Sequence, residues 1–263
     1  MSDALDAPVL PRLAAGHLAK AAAVSPVVVV TGARQTGKST LVQTHPLLRD
    51  RAYVTLDDLD ARGQARAAPD DLVRRAPRLV VDEVQREADL VLAIKRAVDE
   101  QRPRVPGRFV LTGSANLLLM RRVSETLAGR ASYVSLWPLT RREQLGRGTA
   151  GIWDDLFRLP VEQWYDRVRD DDAPREDWRA LARQGGYPTL ATELETEEAR
   201  GAWFAGYVRT YLERDLQDLA AIDNLVDFRR LMRAVCLRLG NLVNQTQLGR
   251  DTGLPQPTVH RYL

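Results

Sequence analysis

Eight consecutive residues carry the clearest chemical pattern in the chain: Gly32-Ala33-Arg34-Gln35-Thr36-Gly37-Lys38-Ser39. The spacing is G-x-x-x-x-G-K-[ST]. Glycines at both ends let the backbone fold back on itself, so that successive N–H groups point inward at phosphate oxygens. A helix that starts at the loop adds the positive end of its dipole. A lysine at this place reaches the β- and γ-phosphates, and the hydroxyl beside it ligates Mg2+. The segment Gly32, Ala33, Arg34, Gln35, Thr36, Gly37, Lys38, Ser39 and Thr40 is therefore assigned to nucleotide binding. Lys38 also takes a catalytic role and Ser39 a metal role.

Hydrolysis needs an acid on a neighbouring strand. Leu79-Val80-Val81-Asp82-Glu83 offers three apolar residues and then two carboxylates. Asp82 is expected to bind Mg2+, directly or through water. Glu83, on the other face of the strand's end, is expected to activate the attacking water. A base beside the γ-phosphate favours hydrolysis over transfer to an acceptor hydroxyl. Farther on, Leu111-Thr112-Gly113-Ser114-Ala115-Asn116 ends another apolar run. Ser114 is the first candidate for orienting water and Asn116 the second, while Ser114 can equally cap a helix. Arg130, after Gly129, is read as neutralising γ-phosphate charge on its own or a neighbouring subunit's nucleotide. That reading admits a homo-oligomer.

These residues need a scaffold. VVVVTG at 27–32 is a continuous apolar run, as in a strand buried on both faces. Further strands are expected at 53–57, 78–84, 108–114 and 132–137. A helix should run from Lys38 to near Pro46. Another spans 89–100, with Leu90, Ile94 and Val98 on one stripe, and a third covers 115–127. Strands alternating with helices imply a parallel sheet with crossover helices. Beyond about 140 the β-type runs stop. A long helix is expected over 201–221, with Trp203, Tyr207 and Tyr211 as a packing stripe. Asp57-Asp58 is read as capping the segment after the second strand, with approach to Mg2+ as the alternative.

The chain has 263 residues, 44% of them hydrophobic and 28% charged, which excludes disorder as the dominant state. Basic residues number 38 and acidic 35, an excess too small to imply nucleic acid by itself. Only Lys20, Lys38 and Lys95 are lysines, so Lys38 stands out in an arginine-rich chain. Cys236 is the sole cysteine, and His17, His45 and His260 lack metal spacing. There is no signal-type apolar core and no run of about 18 apolar residues. The expectation is a cytoplasmic protein without a membrane segment.

GARQTGKST, YVTLDD, RLVVDEVQ, FVLTGSAN, ETLAGR followed by LWPLT, then GGYP and TYLERDLQDL, resemble bacterial and archaeal ATPases of the AAA+ superfamily. Those proteins carry a C-terminal nuclease-like domain of unknown function. The resemblance implies an α/β fold with a five-stranded parallel sheet of order 5-1-4-3-2, an all-helical region after it, and ATP with Mg2+. It makes Lys38 and Ser39 the Walker A residues, Asp82 and Glu83 the Walker B pair, and Ser114 the polar sensor. Arg130 matches the Gly-Arg before the fifth strand.

The expected division is an ATPase core over 1–140, a helical lid region over 141–222, and an incomplete helix-turn-helix, winged-helix-like, over 223–263. Family members continue further, and a DNA partner belongs to those longer relatives. For these residues the nuclease-like domain is read as absent. No sequence-specific DNA binding is expected, and 255–263 should be frayed. The reading is ATP hydrolysis to ADP and phosphate. Its alternatives are a non-hydrolysing nucleotide switch, which Glu83 argues against, and a DNA-binding regulator with an ATPase module, which the small net charge argues against.

Overall fold

Val27–Val30 explain the sheet's position. All four side chains are buried, Val27 and Val29 on one face and Val28 and Val30 on the other. A strand covered on both faces belongs at the centre of a parallel sheet. The computed structural model describes residues 9–114, 123–171, 174–212, 222 and 224–263.

In chain order the main elements are α1 (Ala14–Val24), β1 (Val27–Gly32), α2 (Lys38–Thr44), β2 (Ala52–Thr55), α3 (Leu59–Ala67), α4 (Pro69–Arg74), β3 (Leu79–Asp82), α5 (Leu90–Glu100), β4 (Phe109–Ser114) and β5 (Ala131–Ser135). After them come α6 (Arg141–Gln144), α7 (Ile152–Leu156), α8 (Trp164–Arg169), α9 (Trp178–Gln184), α10 (Pro188–Thr192), α11 (Glu197–Tyr207), α12 (Leu225–Cys236), α13 (Gln245–Thr252) and α14 (Gln256–Tyr262). The sheet order is β2-β3-β4-β1-β5 and every pairing is parallel. This is the expected order 5-1-4-3-2 read from the other edge. Among the described residues, no helix is long and apolar enough to cross a membrane.

One face of the sheet packs on α3, α4 and α5 through Leu72, Leu90, Ile94 and Val98, which meet Val81, Phe109 and Leu111. The other face packs on α1 and α2 through Leu18, Leu41 and Val42. The Leu90, Ile94 and Val98 stripe is buried as its helical spacing requires.

Strand ends shift for local reasons. β2 stops at Thr55, and Asp58 then caps α3 by accepting from the Ala61 N–H at 2.8 Å. β3 stops at Asp82 because Glu83 takes a left-handed backbone, φ 58° and ψ 43°. Of the helix expected over 115–127, residues 123–126 are helical and 115–122 lie outside the described residues.

Contacts divide the chain into two compact units, one ending at Arg200 and one running from Gly201 to Leu263. The division falls inside the stretch read from sequence as a lid region. Residues 141–200 belong with the sheet because Glu143 and the Gly185-Gly186 turn are held by segments around it. In the second unit, Trp203 stacks on Tyr207 at 5.1 Å, and Phe204 meets Trp203 edge-on. The α-helix gives way to a π-turn at Val208–Leu212, and 213–221 lie outside the described residues. The expected fraying of 255–263 is corrected: α14 is a helix, and Val259 is completely buried against Leu231 and Leu248. Docking overrides the weakness of a short isolated helix.

Candidate phosphate-binding site

β1 delivers the chain into the loop at the carboxyl edge of the sheet. Gly32 must be glycine, because a Cβ there would stand 2.3 Å from the Leu136 carbonyl oxygen. Gln35 (φ 61°) and Gly37 (φ 88°) adopt left-handed backbone. Left-handed residues among right-handed neighbours make the concave nests that bind anions. The Thr36 hydroxyl donates to the Ala33 carbonyl at 2.9 Å and braces the turn.

Lys38 opens α2 and is almost wholly buried. Its ammonium donates to the carbonyls of Gly32 (3.1 Å) and Ala33 (2.8 Å). Burial pushes the Lys38 pKa down from its ordinary value, while the charges of Glu83 and Asp82 oppose that shift. A cation whose dehydration is only partly offset gains from an anion brought beside it. Ser39 follows in the first turn of α2, and Thr40 is exposed there.

Asp82 ends β3 and is 3% exposed. A buried carboxylate needs donors, and two flanking strands supply them. Tyr53 of β2 donates its hydroxyl to Asp82 Oδ2 at 2.7 Å, and Thr112 of β4 donates to Oδ1. Thr112 Oγ1 also accepts from the Glu83 N–H at 3.1 Å. One fully buried threonine thus fixes the Asp82 carboxylate and the backbone of Glu83. A left-handed non-glycine residue costs roughly 1–3 kcal/mol, and that hydrogen bond helps hold Glu83 in place. The Gln85 amide donates to the Glu83 carboxylate. Partial burial, the hydrogen bond to Asp82 and its charge raise the Tyr53 pKa.

A second device reaches the loop from the far side. Arg12, buried just before α1, donates to the Thr36 carbonyl at 2.8 Å, to the Trp137 carbonyl, and to Glu143 at 3.2 Å. Glu143 accepts as well from the backbone N–H groups of Leu13 (2.6 Å) and Thr140 (2.7 Å), closing a capping box on α6. Leu139 N–H donates to the Gly186 carbonyl at 2.5 Å, and a Cβ on Gly186 would strike the Leu139 oxygen at 2.3 Å. The GGYP turn is thereby fastened to the segment after β5. Pro188 lies beside Gly37, 3.9 Å from where a Cβ would stand.

The sheet brings the loop of 32–39, Asp82 and Glu83 to one edge. Ser114 arrives there by register, its backbone paired opposite Gly32. Its side chain and Asn116 lie outside the described residues. Arg130 does not join them. It stands at the start of β5, where its carbonyl accepts from the Val27 N–H at the opposite edge of the sheet. Five residues of strand separate Val27 from Gly32, roughly 17 Å. Arg130 makes a two-pronged pair with Asp99, 2.7 Å on each prong, and each group stabilises the other's charged form. The reading that Arg130 reaches its own subunit's nucleotide is thereby corrected. In a parallel sheet the residue before a strand lies at the end remote from a loop that follows one.

The donors suit a hard divalent cation. Ser39 and Asp82 offer oxygen, the ligand type Mg2+ takes. Among the described residues, no group of three His, Cys, Asp or Glu side chains could hold a metal. Mg2+ sites of this kind are completed by substrate phosphates and water rather than by a protein cage.

Sequence reasoning missed Tyr53, Thr112, Arg12 and Glu143. Thr112 had a signal, a lone hydroxyl inside an apolar strand. Thr140-Arg141-Arg142-Glu143 had the capping-box spacing. Arg12 had none, since its partner lies 131 residues away.

Residues 24–145 match the model of the AAA domain family. That segment is similar to AAA+ P-loop domains, and it holds the loop after β1 and all five strands of the sheet. Residues 175–263 match the model of a domain of unknown function, DUF8612. Two uncharacterized proteins, Mb2031c of Mycobacterium bovis and Rv2008c of Mycobacterium tuberculosis, are each 30% identical over 255 residues. The alignment covers 96% of this chain and 50% of each relative, so the chain spans about half the length of the curated relatives it matches. The Walker-type ATPase PABY2304 of Pyrococcus abyssi is similar in fold. It is 14% identical, covers 97% of this chain and 91% of its own, and has a TM-score of 0.51.

Proposed function

We propose that the AAA+ domain binds ATP with Mg2+ and hydrolyses it to ADP and phosphate. The observation that carries this reading is the convergence of Lys38, Asp82 and the strained, braced Glu83 at the mouth of a glycine-bounded loop. The nest and Lys38 bind the β- and γ-phosphates. Ser39 and Asp82 would hold Mg2+, which supplies charge neutralisation on those oxygens. Glu83 takes the proton of the attacking water, and Ser114 orients that water. Arg34, Gln35, Thr36 and Thr40 contribute loop and first-turn contacts.

Two variants divide the labour. Lys38→Ala abolishes ATP binding, while Glu83→Gln preserves binding and stops hydrolysis. Equal loss of affinity in both contradicts the assignment. Arg130 is assigned to a neighbouring subunit's nucleotide in a homo-oligomer, which requires it to leave Asp99. Mixing Arg130→Ala with Glu83→Gln protein then restores part of the activity at interfaces that pair two intact halves. Absence of recovery in a confirmed assembly removes Arg130 from the mechanism.

A further inference from the structure

Residues 224–263 hold three helices around a core of their own. Leu231 of α12, Leu248 of α13, Leu254, and Val259 and Tyr262 of α14 pack together. α13 ends at Gly253 in left-handed backbone, φ 67° and ψ 22°, and a three-residue turn, Gly253 to Pro255, leads into α14. Gly249 lies where the turn and α14 pass over α13: a Cβ there would stand 3.0 Å from the Leu254 carbonyl oxygen and 3.8 Å from Val259 Cγ2. Two short helices, a three-residue turn with a left-handed glycine and a small residue beneath the second helix make a helix-turn-helix.

The outward face of α14 is polar. Gln256, His260 and Arg261 are exposed there, while Val259 and Tyr262 point inward. Gln245, at the start of α13, lies 3.4 Å from His260 Nδ1, so the two helices present one surface. Arg250 of α13 is exposed as well. Glutamine and arginine are the side chains whose forks match adenine and guanine edges in the major groove. The segment 224–263 carries six arginines against two aspartates. Both aspartates lie beside arginines, Asp227 with Arg230 at 3.7 Å and Asp251 with Arg238. The surplus is positive and complements a polyanion.

We propose that this helix-turn-helix binds duplex DNA, with the outer face of α14 in the major groove. The expected fraying of the second helix does not hold, and within this segment the arginines outnumber the aspartates although the net charge of the whole chain is small. Val259 is completely buried, the Tyr262 ring meets Phe228 at 6.0 Å, and the Tyr262 hydroxyl accepts from the Asn224 N–H at 3.2 Å. The helix is pinned at its middle and at its C-terminal end. Duplex RNA is excluded by shape, because its major groove is too deep and narrow for side chains to read. Of the exposed arginines only Arg250 and Arg261 lie on α13 and α14, so affinity is modest, with a Kd of about 10⁻⁴–10⁻⁶ M from phosphate contacts.

The test is fluorescence anisotropy of the full chain with a labelled random-sequence DNA duplex of about 21 base pairs, two helical turns. Saturable binding is expected, weakening about ten- to forty-fold between about 50 and about 200 mM salt, as for two or three phosphate contacts. A duplex RNA of equal length competes poorly. The triple variant Gln256→Ala, His260→Ala, Arg261→Ala binds at least about tenfold more weakly, with an unchanged unfolding midpoint and helical circular dichroism. If the triple variant misfolds, Arg261→Glu alone gives the reading, since charge reversal must weaken binding. No binding at low salt, wild-type affinity in folded variants, or equal competition by duplex RNA overturns the proposal.

Discussion

At the carboxyl edge of the sheet, Lys38, Asp82 and Thr112 are buried and share their hydrogen bonds among four strands and a loop. At the amino edge, Arg130 and Asp99 keep 22% and 33% of their side chains in water and satisfy each other in a closed pair. The first arrangement holds polar groups in a costly environment and aims them at one point. The second is self-sufficient and aims at nothing in its own subunit. Buried groups that depend on several elements are where a fold invests in chemistry, and where single substitutions do most damage.

The largest effect is expected at the clamp behind the loop. Arg12→Ala leaves Glu143 buried without its cation and should cost about 3–5 kcal/mol, read as a fall in the urea midpoint. The double variant Arg12→Ala, Glu143→Ala should recover part of that loss. Strict additivity would show that the pair is not coupled.

Thr112→Val comes next. It keeps the side chain's shape and removes the donor to Asp82 and the acceptor for the Glu83 N–H. Each buried group left unpaired costs about 1–3 kcal/mol. Hydrolysis should fall further than ATP affinity, because the loop itself is untouched. Equal falls in both would place Thr112 in loop support instead.

Tyr53 gives a smaller effect that depends on pH. Its folded pKa is raised by partial burial and by the hydrogen bond to Asp82. The folded protein therefore keeps a proton that the unfolded chain releases near the ordinary tyrosine value, about 10. This contribution to stability is fully present below pH of about 10 and declines above it. Tyr53→Phe should flatten the fall in stability between about pH 9 and 11 relative to wild type, in paired urea titrations. An unchanged slope would mean that the hydroxyl does not hold Asp82. The smallest effect on stability belongs to Arg130→Ala, whose pair with Asp99 is open to solvent screening.

The glycine-bounded loop was legible because its information is local: a glycine spacing, an apolar strand before it and a helix after it. The strand order followed from the family resemblance, and the buried faces of β1 from the four-valine run. Asp57-Asp58 read as a cap became one through Asp58. Thr112 was passed over for Ser114 because the sequence marks a strand's end and gives no sign of which hydroxyl faces the acid. Arg12 and Glu143 were invisible because their meeting depends on packing across 131 residues. Arg130 was misplaced for want of one step of topology. The last helix is short enough to suggest fraying, and the strength with which Val259 and Tyr262 seat it on α12 and α13 depends on packing that the sequence does not show.

The central claim is that the carboxyl edge performs hydrolysis and that binding and bond cleavage rest on different residues there. Single-turnover ATP hydrolysis with excess protein and Mg2+, run on wild type and Glu83→Gln after matching ATP occupancy, tests it most directly. The account predicts one burst of ADP from wild type and a rate lower by about 10²–10⁴ in the variant at equal occupancy. Equal rates, or ATP bound by wild type and released uncleaved, would contradict it.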